Sequence, residues 1–476
     1  MVSHPIRQAL VLAHATAGGR PAAALRTGGL PHLARVLLTL KRRDVTRFWI
    51  LVAGAGQRAV LEAIVAEDPR LASLDVRFVE GPAGADTGAL FASARDHLRG
   101  DFLLVEADRV FSLDLLDALL VAPLDGITLA VAAGDHPNVD GPALPLAVHG
   151  DRLARGEPGA VPQPIVRNAG IAACDDTVLE LAAAFAGRPD PLQEILAHLA
   201  ALRCARVVRV GPRGFSIRLR GAADRRRADA LLLDALRKPE VDGPIARYLN
   251  RNVSLAVTRR LMNVAVSPNA ITVFNLLIAV AAGVTAGLAS PANPALLAVG
   301  AVLWQVASML DGVDGELARL TFRTSKTGEW LDTLSDDIGR VAFFLGVGYG
   351  TASVFSAPLY WHLMLGTVAI QVVLNLFAYR KLLEIGAGSH LALAWTDDRE
   401  DGGPKSPLAR FFARIEFMGR RDYYIFTFMV VTLLGFVKLA IVCTFLTTLI
   451  ILGHDVFRPR KPRDARVLRP ILLRDE

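Results

Sequence analysis

Four aspartates, Asp311, Asp314, Asp332 and Asp336, fall within the stretch SMLDGVDGELARLTFRTSKTGEWLDTLSDDIGR (308–340). Its spacing reads D-x2-D-G-x2-A-R-x8-G-x3-D-x3-D, filled by Asp311, Asp314, Gly315, Ala318, Arg319, Gly328, Asp332 and Asp336. The stretch lies between apolar blocks, and at membrane depth each ionisable side chain costs roughly 2.5–3.5 kcal/mol on insertion scales. Acids kept so close together need a reason, and metal binding is the simplest. Asp311 and Asp314 are i,i+3 and Asp332 and Asp336 are i,i+4, so each pair shares one face of a helix. Two such helices joined by the basic turn 319–326 bring the four carboxylates into one cavity. Hard oxygen ligands of this kind suit Mg²⁺ or Mn²⁺, which combine carboxylates with substrate phosphates. Gly315 lets a ligand approach the backbone closely, and Arg319 offers a planar donor fork to phosphate oxygens. The pattern predicts metal-assisted chemistry. An ion path in a transporter is the rival reading, because intramembrane acids mark such paths as well.

Those acids need membrane helices to hold them. Residues 261–310 and 341–379 contain no Asp, Glu, Lys or Arg, and 423–453 contain Lys438 alone. With about 20 residues needed per span, each block reads as a helical hairpin. Six spans are expected, over 269–289, 294–318, 328–349, 359–379, 421–435 and 437–457, with charge-free turns at 290–293 and 350–358. The turn 319–326, the loop 380–421 and the tail from 458 are rich in bases. The positive-inside rule therefore places both termini and the acidic motif on the cytoplasmic side of the inner membrane. Ahead of the first span, GPIARYLNRNVSLAVTRRLMNV (243–264) interleaves apolar residues with Arg247, Arg251, Arg259 and Arg260. That composition suits an amphipathic helix on an anionic leaflet.

Composition agrees. The 476 residues are 52% hydrophobic, with a mean hydropathy of +0.38 and a pI near 9.6. The net charge of +7 comes from bases flanking apolar blocks, which points to membrane topology rather than nucleic acid; no aromatic stacking pattern accompanies it. Cys174, Cys204 and Cys443 show no C-x-x-C pairing, so neither a disulfide framework nor a zinc site is expected. The first fifteen residues show no secretory signal, and the N-terminal half is expected in a reducing cytoplasm.

Residues 1–235 follow a different grammar. The apolar runs 9–15, 47–54, 75–81, 101–108 and 126–134 are strand-like and alternate with helical stretches such as PHLARVLLTLKRRD and QRAVLEAIVAE. This is the alternation of an α/β domain with a mainly parallel sheet. The expected organisation is an α/β domain at 1–235, a linker and interfacial helix at 236–266, an all-α six-helix transmembrane bundle at 267–457, and a basic tail at 458–476.

The motif 311–336 resembles the signature of the CDP-alcohol phosphotransferase family, with every fixed position filled. SPNAIT (267–272) looks like that family's opening of the first span, and six spans is its count. The resemblance implies transfer of a substituted phosphoryl group from a CDP-linked donor to an alcohol, releasing CMP. It implies that Asp311, Asp314 and Asp332 hold a two-metal centre on the donor pyrophosphate. Asp336 completes that centre or acts as base on the acceptor hydroxyl. Gly315, Ala318 and Arg319 line the CDP site, joined by Asn269, Thr272 and Gly328. Arg323, Lys326, Arg420 and Arg421 are acceptor-site candidates. The family usually forms homodimers, so a homodimer is expected.

The N-terminal half resembles, more faintly, sugar-phosphate nucleotidyltransferases, through 28–54, LLVEADRVFS (103–112, with Asp108) and VRNAGIAACDDTVLELA (166–182). The combined architecture is similar to the bifunctional inositol-1-phosphate cytidylyltransferase / di-inositol-phosphate-phosphate synthases. The front half departs from that pattern where chemistry would occur. HATAGGRPAAA (14–24) stands in place of the Gly-rich phosphate loop, and SIRLRGAAD (216–224) puts Arg218 and Arg220 where metal-binding acids belong. A degenerate domain is expected there. The donor implied for the membrane half is CDP-diacylglycerol or CDP-inositol, and the acceptor an inositol phosphate or a lipid. Two alternatives stay open at this point: a bifunctional enzyme that makes its own CDP-donor from CTP, and a non-catalytic scaffold or transporter.

Overall fold

Strands come first because the first half of the chain is punctuated by short apolar runs with turn residues between them. The computed structural model describes residues 6–81, 94–155, 165–185, 191–237, 242–394, 420–457 and 461–462. Two compact units divide the chain, Met1–Ala235 and Leu236–Glu476.

The first unit is built on a nine-stranded sheet, β1 (Gln8–Leu12), β2 (Arg47–Val52), β3 (Asp75–Glu80), β4 (Phe102–Glu106), β5 (Ile127–Ala133), β6 (Leu146–His149), β7 (Arg152–Arg155), β8 (Val166–Cys174) and β9 (Ala205–Arg209). Their spatial order is β6-β7-β9-β5-β8-β4-β1-β2-β3. The block β4-β1-β2-β3 is wholly parallel, as expected of strands alternating with helices. All five residues of β1 are buried, as are the last five of β2, the mark of strands covered on both faces. β8 then inserts antiparallel between β4 and β5, and β9 adds parallel to β5. A short ribbon pairs Arg109–Phe111 with Ser216–Arg218 and so carries the later segment back to the end of β4.

The second unit is helical: α1 (Arg251–Leu261), α2 (Pro268–Gly287), α3 (Ala295–Leu310), α4 (Gly312–Leu320), α5 (Lys326–Phe355), α6 (Leu359–Glu384), α7 (Arg421–Leu433) and α8 (Val437–Phe457). Among the described residues five helices are long and apolar enough to cross a membrane: α2, α3 continued by α4, α5, α6 and α8. This is a multi-pass membrane protein. The sixth expected span, α7, has 13 residues, fewer than the roughly 20 needed for a crossing. The second turn also begins later than expected. Nothing in 350–355 breaks a helix, so α5 continues to Phe355 and stops where Ser356 turns left-handed ahead of Pro358. The basic loop between α6 and α7 and the basic tail lie mostly outside the described residues.

Small residues let the backbones of this bundle touch. A Cβ on Gly283 of α2 would lie 2.3 Å from the carbonyl oxygen of Ala342, and one on Gly346 of α5 would lie 1.9 Å from that of Gly283. Lipid offers no hydrophobic drive for helices to associate, so close backbone packing of this kind supplies the attraction. Around that seam Trp304 stacks on Phe343 at 4.0 Å between ring centroids and meets Phe344 and Phe428 edge-on.

Candidate metal and phosphate site

Asp311 links the end of α3 to the start of α4 in helical conformation, and Asp332 and Asp336 lie one turn apart on α5. The three carboxylates converge: one oxygen from each lies within 4.8 Å of the others. That spacing and hard-oxygen chemistry fit a divalent cation. Asp314 is not part of this trio. It is buried, with its carboxylate accepting a short hydrogen bond from the Thr272 hydroxyl and another from its own neighbour's amide, Gly315 N–H, at 2.6 Å.

Thr272 belongs to SPNAIT, and its contact with Asp314 brings that segment to the acidic motif. Ser267 caps α2, accepting from Ala270 N–H at 3.1 Å, with Pro268 in the first turn. Ser325 likewise caps α5, accepting from Gly328 N–H at 3.0 Å. The two helix starts meet at Gly328, where a Cβ would lie 3.3 Å from Asn269 Oδ1. Asn269, Thr272, Gly328 and Asp314 are thus brought to one end of the bundle. Gly315 is adjacent: a Cβ there would approach Arg319 Nη1 to 3.1 Å, so the guanidinium lies over the glycine. The buried Nε of Arg319 has no hydrogen-bond partner among the described residues.

The acceptor-site candidates divide. Arg421, at the start of α7, donates through Nη1 to Asp311 at 3.3 and 3.4 Å and also to Asp336. Its neighbour Asp422 accepts from Ala246 N–H at 2.8 Å, which ties the start of α7 to the segment before α1. Arg323, Lys326 and Arg420 are exposed. Beside the acids a cavity is lined by Asp332, Asp336, Arg421, Arg340, Asn275 and Trp304. Asn275 was invisible to sequence reasoning, although its position one turn after Thr272 on α2 was a usable signal.

Two further groups were missed. Asp337, next to Asp336, accepts from Tyr379 Oη at 2.5 Å and pairs with Arg340 and His390 at 3.1 Å each. Glu316, inside the motif, is fully buried and bonded to α1. Arg251 does not face outward with Arg259 and Arg260; it pairs with Asp242 and Glu316.

In the first unit the acids at the end of β4 meet arginines. Glu106 accepts from Arg109 Nε and from Arg218, and Asp108 pairs with Arg218 at 3.1 Å. Burial opposes ionisation of Glu106, but the charges of Arg109 and Arg218 and their hydrogen bonds hold its carboxyl below the ordinary value. Burial wins at Asp108 and pushes its carboxyl up, against the pull of Arg218. The segment 14–24 forms a small ribbon, Thr16–Ala17 with Arg20–Pro21, turning at Gly18 and Gly19 with positive φ. It does not open an α-helix onto which phosphate could sit.

Residues 265–434 match the family model for CDP-alcohol phosphatidyltransferase, and the C-terminal part of the chain carries a domain of that family. Three relatives share the description "Bifunctional IPC transferase and DIPP synthase". The protein of Thermococcus kodakarensis is 32% identical over 150 residues, 31% of this chain and 32% of that one. That of Aquifex aeolicus is 29% identical over 211 residues, 44% of this chain and 42% of that one. That of Archaeoglobus fulgidus is 29% identical over 245 residues, 51% of this chain and 46% of that one. The chain therefore spans between about a third and a half of the length of these relatives. Among solved structures, the inositol-1-phosphate CTP transferase from T. maritima is similar to 48% of this chain and 96% of its own, with a TM-score of 0.41 and 18% identity.

Proposed function

We propose that this protein transfers a substituted phosphoryl group from a CDP-linked alcohol to an alcohol acceptor and releases CMP. The observation that carries the reading is the convergence of the Asp311, Asp332 and Asp336 carboxylates within 4.8 Å, inside a domain of the CDP-alcohol phosphatidyltransferase family. Asp311, Asp332 and Asp336, with Asp314 beside them, would hold Mg²⁺ or Mn²⁺. Such ions in a two-metal site would stabilise charge on the attacking and leaving oxygens.

The residues divide the remaining work. Arg319, over Gly315 and beside Ala318, binds the donor phosphates; Asn269, Thr272 and Gly328 shape the same end of the site. Asp336 takes the proton of the acceptor hydroxyl as its oxygen attacks phosphorus and the bond to CMP breaks. Arg421 holds an anionic group of the acceptor, with Arg323, Lys326 and Arg420 at the rim. The polar partner is an inositol or inositol phosphate, in line with the resemblance of the whole architecture to the fused inositol-phosphate enzymes. CDP-diacylglycerol and CDP-inositol are the two donor classes, and the enzyme works as a homodimer. The active site and both termini face the cytoplasm from the inner membrane, because the basic segments lie on that side. The first unit is a degenerate nucleotidyltransferase-like domain. Its paired Glu106 and Asp108 are already neutralised by Arg109 and Arg218.

The test is metal-dependent CMP release by detergent-purified protein from CDP-diacylglycerol, CDP-inositol, CDP-glycerol and CDP-choline, with Asp336→Asn as control. CMP from one donor, lost in the variant, supports the reading and reveals which substrate carries the lipid. Folded protein that releases CMP from none of them counts against it. CTP-dependent pyrophosphate release by the full chain would overturn the degenerate assignment of the first unit.

A further inference from the structure

Glu316 is an acid that the proposed chemistry leaves unused. It lies in α4 between Gly315 and Arg319 and is fully buried. Its Oε1 accepts from Arg251 Nη1 at 2.8 Å and from the Ser254 hydroxyl at 2.6 Å, and its Oε2 accepts from the Thr258 hydroxyl at 2.7 Å. All three donors stand on α1. Arg251 is itself held from the other side, donating to both carboxylate oxygens of Asp242 at 2.9 and 3.0 Å. Gly312 leaves room for this approach, since a Cβ there would lie 2.9 Å from Arg251 Nη1. One turn further along α4, Arg319 takes part in no salt bridge among the described residues, and its buried Nε has no hydrogen-bond partner.

A glutamate and an arginine three residues apart on a helix are neighbours on its surface and ordinarily pair. Here the glutamate is drawn to α1 and the arginine is left open. We propose that Arg251 is a positioning residue that acts through Glu316: by holding that carboxylate on α1 it keeps the Arg319 guanidinium available to an anionic ligand. This rests on the reading of Arg319 as a ligand of the donor phosphates. Without Arg251, Glu316 turns to Arg319 and competes with the donor for it. The cost then falls on nucleotide affinity and disappears when the competing carboxylate is removed.

The experiment measures CDP binding, in the presence of Mg²⁺, to the detergent-solubilised full chain by calorimetry, with monodispersity and melting checked for each variant. Arg251→Gln is expected to bind CDP about tenfold more weakly, the size of one charge-assisted hydrogen bond. Glu316→Gln should bind within about twofold of the parent, and Arg251→Gln/Glu316→Gln should regain the parental affinity. Both expectations follow because a neutral amide competes poorly for a guanidinium. A role confined to holding the fold would instead make the double variant as weak as the single one or weaker, and that result overturns the inference. Should Arg251→Gln not fold, Arg251→Lys replaces it. A single ammonium serves Asp242 and Glu316 incompletely, so about threefold weakening, relieved by Glu316→Gln, is expected; unchanged affinity sinks the idea. Arg319→Gln separates the two levels. If it binds CDP like the parent, the donor reading of Arg319 fails and the inference with it. If it weakens binding while Arg251→Gln does not, the inference alone falls.

Discussion

Carboxylates meet arginine in both halves of this protein, with opposite charge balance. In the first unit Glu106 and Asp108 face Arg109 and Arg218, two negative groups against two positive ones. In the second unit Asp311, Asp332 and Asp336 share, among the described residues, one paired guanidinium, Arg421, while the nearby Arg340 is taken up by Asp337. A balanced cluster satisfies itself and has no use for a cation. An unbalanced one at membrane depth carries excess negative charge that a bound cation or protonation has to offset. Acidic residues alone therefore do not separate a self-satisfied cluster from a candidate cation site; the number of guanidinium groups paired with them is a further guide.

The largest expected effect comes from removing a carboxylate on the unbalanced side. Asp336→Asn should cut CMP release by about 10²–10⁴-fold, the range associated with a general base, while CDP binding stays measurable. Normal turnover would break the comparison at its centre. Next, Arg218→Gln leaves Glu106 and Asp108 short of one partner and is expected to destabilise the first unit by about 1–3 kcal/mol, a buried-pair penalty discounted for partial exposure of Arg218. Melting of the full chain reads this, and CMP release should not change. The matching change on the other side, Arg421→Gln, removes a competitor for the oxygens of Asp311 and Asp336. Mn²⁺ affinity, followed by electron paramagnetic resonance, should rise about tenfold, since a paired charge there is worth about one charge-assisted hydrogen bond. A fall would mean that Arg421 supports the cation site rather than competing for it.

The smallest effect is in pH dependence. Glu106 titrates below its ordinary value of 4.5 in the folded chain. Its pairing therefore stabilises the first unit above about pH 4.5 and is lost as pH falls through the lower, folded-state value. Glu106→Gln should lower the melting temperature at pH 7, and the gap from the parent should close on acidification below about pH 4.5. A gap that stays constant would mean that the lost stability comes from packing rather than charge.

How much of this was legible before the fold was seen depended on range. The motif 311–336 announced itself because charge inside apolar sequence is rare, and five strands were readable as apolar runs bounded by turn residues. The capping roles of Ser267 and Ser325 are local chemistry too, although neither was read as a cap. What sequence could not supply was which residues meet across long separations. Arg421 lies 110 and 85 positions from Asp311 and Asp336, and only the packing of α7 brings it there. Asp314 looked like an equal member of the four acids, yet its contact with Thr272 depends on how far α2 is rotated. β8 was not among the strand-like runs and stood out only through the resemblance of 166–182, and nothing in its composition says that it inserts antiparallel. Glu316 fell at an unassigned position between Gly315 and Ala318, and its partners belong to a helix whose arginines suited an anionic leaflet.

One residue of phase separates success from failure for the aspartates of α5. Each residue advances a helix by about 100°, so a slip of a single position would swing Asp332 and Asp336 out of the cavity. At Gly283 and Gly346 the α2 and α5 backbones meet with no side chain between them, and contact of that kind admits one rotational setting. The seam works like a key in its slot. It fixes the angle at which α5 presents its acids to the cavity.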